Sequence, residues 1–135
     1  MTGVLKVLLW IYGVVLVAIG LGNIIAPDWM AETAFGIDNL TNDGLFMSAM
    51  LGAIYIAAGF FIAAAGRDPL RYISWVKFAV LKIGISVVIV IYALIQEYIE
   101  PSGMVITMLA VDFAFGLAFL IFYPWKLRKN LPEVP

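Results

Sequence analysis

Cysteine and histidine are absent from all 135 residues, and only 13% of the chain is charged. Without thiols or imidazoles the chain forms no disulfide, carries no thiol nucleophile, and offers no Cys/His zinc site or iron–sulfur cluster. Histidine ligation of haem and the usual proton-shuttling side chain are excluded with them. A net charge of −1 leaves no basic footprint for nucleic acid. Carboxylate-only metal sites need several converging acids, and a single acid, Asp112, lies deep in an apolar segment. The expectation is a protein that is not an enzyme and has no resident cofactor.

What the chain does have is apolar surface. Hydrophobic residues make up 64% of it, against about 45–50% apolar and about 25% charged in a soluble domain. A globule this small keeps much of its surface in contact with solvent, so the solvent implied here is lipid. Four runs, 4–25, 45–65, 73–95 and 104–123, reach the about 20 residues that cross a hydrocarbon core of about 30 Å. Backbone groups in lipid must be satisfied within the segment, which makes these runs helices. Barrel strands would be about half as long and would alternate in polarity. The first run is too long for a signal-peptide core of about 7–15 residues and reads as a retained span. The expected fold is an all-α, integral membrane four-helix bundle in one transmembrane domain.

The connections give a direction. Lys6 starts span one, Arg67 and Arg71 lie between spans two and three, and Lys126, Arg128 and Lys129 follow span four. Asp28, Glu32, Asp38 and Asp43 fall between spans one and two, with Glu97 and Glu100 between spans three and four. Positive charge retained on the inner face places both termini in the cytoplasm, in an inner or plasma membrane. Trp125 and Tyr123 beside Lys126, Tyr72 and Trp75 near the start of span three, and Tyr98 near its end suit interfacial aromatic belts. Trp10 is deeper and reads as packing or lipid contact.

Residues 26–44 form the one connection with room for structure. Pro27 can open a helix and Gly36 can close it, giving a short interfacial helix with Trp29, Met30, Thr33 and Phe35 toward the membrane surface. A docking surface for a partner is the sharper alternative. Asn39-Leu40-Thr41 matches a glycosylation triplet, but Thr41 or Asn42 serves equally as a helix cap. The turns Gly66-Arg67-Asp68-Pro69 and Glu100-Pro101-Ser102-Gly103 make spans two, three and four antiparallel neighbours in sequence. The tail, 130–135, reads as irregular.

Helices in lipid associate through close packing of small residues. Span two has Ala49, Ala53 and Ala57 at a spacing of four, beside Gly52 and Gly59, and span four has Ala110, Ala114 and Ala118, beside Gly116. Span one contributes Gly13, Ala18, Gly20 and Gly22. The alanine rows suit either packing within one bundle or a face between protomers.

Asp112 lies eight residues into its span, roughly 12 Å deep at about 1.5 Å per residue. Lys82 lies nine residues into the antiparallel preceding span. Each charge costs about 2.5–3.5 kcal/mol at a helix centre, so a pair on adjacent helices is the favoured arrangement. Ser86, Tyr55 and Thr107 are candidate supporting hydrogen-bond groups. Three readings follow: a structural lock between helices, two independent residues with Lys82 snorkelling to the interface, or a working site for a proton, an ion or a polar head group.

The stretch Gly20-Leu21-Gly22-Asn23 through Pro27, then Phe35-Gly36-Ile37 and an Ala/Gly-rich second span, resembles the small four-span DoxX-like bacterial proteins. BphX-like proteins are similar in length and layout. The resemblance extends over most of the chain and implies a four-helix membrane bundle. For DoxX-like proteins tied to thiosulfate–quinone oxidation it also implies a quinone-linked role, although no cysteine or histidine is present here to carry redox chemistry. The expected function is non-enzymatic: an accessory or assembly subunit of a membrane complex, or a self-associating bundle. The alternatives are a small proton, ion or solute transporter using Asp112, and a protein binding quinone or lipid. Expected partners are the lipid bilayer and another protein or further copies of the chain.

Overall fold

A computed structural model describes residues 2–124 of the chain. Five α-helices follow one another: α1 Thr2–Ile25, α2 Pro27–Phe35, α3 Asn42–Ala65, α4 Ile73–Ile95 and α5 Gly103–Phe122. Four of them, all but α2, are long and apolar enough to cross a membrane. They match the four runs in the sequence to within three residues at every end. The expected belt residue Trp125, the cations Lys126, Arg128 and Lys129, and the tail 130–135 lie outside the described residues.

Local chemistry sets the helix ends. The Thr41 hydroxyl accepts from the Gly44 amide at 3.2 Å, and the Ser102 hydroxyl accepts from the Val105 amide at 3.2 Å. These contacts satisfy amides that a helix start leaves without partners. Thr41 is therefore a cap in the structure. Pro27 occupies the first turn of α2, and Gly36 ends that helix in the left-handed region at φ 68, which glycine adopts without strain. In the α3–α4 turn, an Asp68 carboxylate oxygen accepts from the Arg71 amide at 3.2 Å, and Pro69 is fully buried.

The long helices form a ring in which α1 touches α3, α3 touches α4, α4 touches α5 and α5 returns to α1. The consecutive neighbours expected from the short turns are in contact. The most extensive contact, however, joins α1 to α3, the pair separated by the longest connection. Glycines explain it. A Cβ built on Gly13 would lie 2.6 Å from the Gly59 carbonyl oxygen, and one on Gly59 would lie 2.6 Å from that of Gly13. Gly20 and Gly52 repeat the arrangement at 2.6 and 2.5 Å. Each pair is seven residues from the next, forward along α1 and backward along α3, so the helices run antiparallel with the repeat of left-handed coiled packing.

Most of the alanine rows lie away from this contact, with Ala49 and Ala118 half-buried at one end of each row. Ala53, Ala57, Ala110 and Ala114 are exposed on the bundle surface. Of the two uses open to them, packing inside the bundle is therefore made by glycines at a step of seven. Beside the glycine seam, Leu5, Leu9, Tyr12 and Leu16 recur along one face of α1 and pack with Ile62, Val76, Ala79, Ile83 and Phe119. This core fills the half of the bundle nearer the α3–α4 turn.

The short helix α2 covers the opposite end, touching α1, α3 and α5. Its residues differ in placement from the expected single interfacial face. Trp29 and Thr33 are exposed, but the Met30 side chain turns inward onto Gly22, where a Cβ would meet its sulfur at 2.8 Å. An Asp28 carboxylate oxygen accepts from the Leu40 amide at 3.2 Å and ties the following loop to the helix. Trp10 is half exposed, with the edge of its ring over Gly66.

Candidate functional site

Each long helix contributes one polar side chain to the same region of the bundle. Tyr12 comes from α1, Tyr55 from α3, Lys82 from α4 and Asp112 from α5. Lys82 extends inward, with its Nζ 4.9 Å from the Tyr55 ring centroid and 5.7 Å from that of Tyr12. An ammonium at these distances is attracted by the ring quadrupole, more strongly where water is excluded. Asp112, when ionised, couples electrostatically to Tyr12, Tyr55 and Lys82 without bonding to any of them. The four side chains thus form one electrostatic unit.

The register of the helices explains how two charges at different depths come together. Ile83 packs on Gly116, its Cγ2 3.2 Å from where a Cβ would sit. In an antiparallel pair held there, Asp112 is level with residue 87, five residues beyond Lys82, or roughly 7.5 Å along the axis. A four-carbon lysine stem covers most of that separation. Lys82 and Asp112 nevertheless make no ammonium–carboxylate contact of 4.0 Å or less, the ordinary limit for an ion pair. The tyrosine rings occupy the space around the ammonium.

Tyr12 is only 2% exposed. Its ring packs against Phe115 at 5.2 Å and edge-on to Phe119 at 5.6 Å. Its hydroxyl is a buried polar atom without a hydrogen-bond partner among the described residues. Lys82 and Asp112 are half-buried. Toward the α3–α4 turn, Leu5, Leu9, Ile62, Val76 and Phe119 pack in one cluster with Tyr123.

The other polar residues singled out in the sequence are separate from this unit. Thr107 is exposed, and its hydroxyl donates to the Gly103 carbonyl of its own helix at 2.7 Å. Ser86 is half-buried and makes no side-chain hydrogen bond within the described residues. Asn23 and Ser48 instead make a second link nearer α2. The Ser48 hydroxyl lies 3.0 Å from Asn23 Oδ1 and 3.2 Å from its carbonyl oxygen, while Asn23 Nδ2 donates to the Ile19 carbonyl at 2.9 Å.

Of the four clustered side chains, Tyr12 is the one that sequence reasoning passes over. A signal for it exists: it stands in a leucine stripe, Leu5-Leu9-Tyr12-Leu16, at helical spacing. Tyrosine is common in cores, so the stripe marks burial without marking a partner. No group of three or more acidic side chains among the described residues gathers to hold a metal ion.

A shallow apolar groove of about 220 Å³ lies on the outer side of the α4–α5 seam. Val80, Gly84, Val87, Phe113, Gly116 and Leu117 line it. Ile83, which packs on Gly116, is part of the same lining.

No protein-family model, curated protein or solved structure matches the chain. The likeness to DoxX-like and BphX-like proteins therefore rests on the residues quoted for it.

Proposed function

We propose that this small multi-pass membrane protein is a non-enzymatic accessory or assembly subunit, presenting a fixed four-span frame to other transmembrane helices or to further copies of itself. The observation that carries the reading is the division between glycines and alanines. Gly13, Gly20, Gly52 and Gly59 are used up inside the bundle, whereas Ala53, Ala57, Ala110 and Ala114 stand on its outer surface. Small residues at a spacing of four permit close helix approach in lipid, where burial of apolar surface supplies no drive. In this reading the central polar unit fixes the rotation of the four spans, and the alanine rows meet the partner. The frame lies in the cell membrane with both termini cytoplasmic, as the arrangement of lysine and arginine suggests.

Purification in mild detergent, followed by native mass spectrometry, tests the proposal. The expected result is a complex with a second protein or a homo-oligomer, dissociated by Ala53→Leu with Ala57→Leu or by Ala110→Leu with Ala114→Leu. A monomer that is unaffected by either pair of substitutions would contradict it.

A second reading, binding of a quinone or lipid tail, is favoured by the groove between α4 and α5, whose lining is apolar. Its test is a co-purifying amphiphile displaced by Gly84→Leu. Transport through Asp112 has less support, since the few polar groups of the spans, Asn23, Ser48, Ser86 and Thr107, lie apart from the polar unit. Ion or proton flux in liposomes, abolished by Asp112→Asn, would revive it.

A further inference from the structure

The groove between α4 and α5 has a length and a direction. Along α4 its lining begins at Val80 and ends at Val87. Counted from Lys77, that is three to ten residues into the span, roughly 4.5 to 15 Å at about 1.5 Å per residue. Half of a hydrocarbon core of about 30 Å has the same depth. A partner helix would need a seam along the whole span, whereas the tail of a lipid in one leaflet needs only half. The space is open, since Gly84 has nothing within 4 Å of an added Cβ, and Phe113 and Leu117 across from it are exposed.

Lys77 stands at the mouth of the groove. It precedes Val80 by three residues and Gly84 by seven, which puts all three on one face of α4. Lys77 is exposed and makes no ion pair among the described residues. Helical side chains lean toward the N-terminus, which here is toward the α3–α4 turn, and a long lysine stem carries its charge on to the membrane surface. The charge at that end is mostly of one sign. Among the described residues it has Lys6, Arg67, Arg71 and Lys77 against Asp68. Lys6 belongs there because its carbonyl oxygen would lie 3.1 Å from a Cβ on Gly66. An apolar trough one leaflet deep, with an unpaired cation at its mouth, matches a hydrocarbon tail below a negative headgroup.

We propose that the groove holds one tail of an anionic phospholipid from the leaflet at the α3–α4 end, with Lys77 attracting its headgroup. The inference rests on the reading of the groove as a site for a quinone or lipid tail and narrows it, because an uncharged quinone head leaves Lys77 without a counter-charge.

The test titrates the full chain, purified in mild detergent, with equal amounts of phosphatidylglycerol and phosphatidylcholine of identical tails, and counts retained lipids by native mass spectrometry. The unaltered chain should retain phosphatidylglycerol preferentially. Lys77→Gln should weaken that retention about fivefold, the worth of one lysine near an anionic surface. Arg67→Gln, at the same end but in the turn, should weaken it less. Gly84→Leu, which fills open space, should displace both lipids. No preference for phosphatidylglycerol, or equal losses in Lys77→Gln and Arg67→Gln, overturns the proposal. The broader reading of the groove survives that result if Gly84→Leu still displaces a bound amphiphile, and both fail if it displaces nothing. A change of oligomeric state in Gly84→Leu would make a second copy the occupant and would likewise overturn the proposal.

Discussion

Replacing Gly59 by alanine adds one carbon where α1 and α3 meet backbone to backbone. The new Cβ would stand 2.6 Å from the Gly13 carbonyl oxygen and 2.9 Å from both the amide nitrogen and Cγ2 of Val17. Two of these three neighbours are backbone atoms and cannot turn aside. Reaching the 3.4 Å of ordinary contact requires the helices to part by about 0.8 Å, a gap that forfeits roughly a quarter to a half of the dispersion energy of each contact it opens. Overpacking of this kind costs about 1–3 kcal/mol. Alanine also favours the helix over glycine by about 0.8–1.0 kcal/mol, so a control is needed to separate the two effects. Gly84 supplies it: also within a helix, it has nothing within 4 Å of its added Cβ. Gly84→Ala should leave stability unchanged or raise it by up to about 1 kcal/mol. Gly59→Ala should fall below that control by about 1–3 kcal/mol. Unfolding in mixed micelles with increasing dodecyl sulfate, followed by the fluorescence of the four tryptophans, measures both. If the two variants shift by the same amount in the same direction, the α1–α3 seam is not packed on its glycines.

Ser48→Ala removes the link to Asn23 and should cost about 0.6 kcal/mol, the typical worth of a hydrogen bond between membrane helices. Asn23→Ala should add little once Ser48 is gone, and fully additive losses measured by the same unfolding assay would refute the link. The absence of cysteine makes the orientation directly testable. Ser102→Cys should react with an impermeant maleimide on intact cells, while Arg67→Cys should react only after lysis, and the reverse pattern would invert the topology.

Much of the fold is legible in the sequence because the lengths of the apolar runs locate the spans and the punctuation locates their ends. Thr41, Ser102, Pro27 and Gly36 act where their chemistry predicts. Which face of each span points inward is harder to read. A soluble helix shows its core face as an apolar stripe, but lipid and bundle interior are equally apolar, so that contrast is lost. The alanine rows at a spacing of four are conspicuous, yet Ala53, Ala57, Ala110 and Ala114 are exposed, while the glycines at a spacing of seven are less conspicuous and form the main contact. The same asymmetry governs the polar unit. Lys82 and Asp112 stand out because charge is rare in these segments. Tyr12 becomes meaningful only once α1 is rotated against α3 and α4, a tertiary fact set by Gly13 and Gly20. The inward turn of Met30 likewise depends on the space above Gly22.

The claim that the polar side chains of the spans form one electrostatic unit is tested most directly by a double-mutant cycle on Lys82→Met and Asp112→Asn, with stability measured in a membrane mimic. Each single change leaves the opposite charge uncompensated beside Tyr12 and Tyr55, whereas the double change removes both. If the two charges are coupled, the double variant is less destabilised than the sum of the singles, by about 0.5–3 kcal/mol. Strict additivity would contradict it.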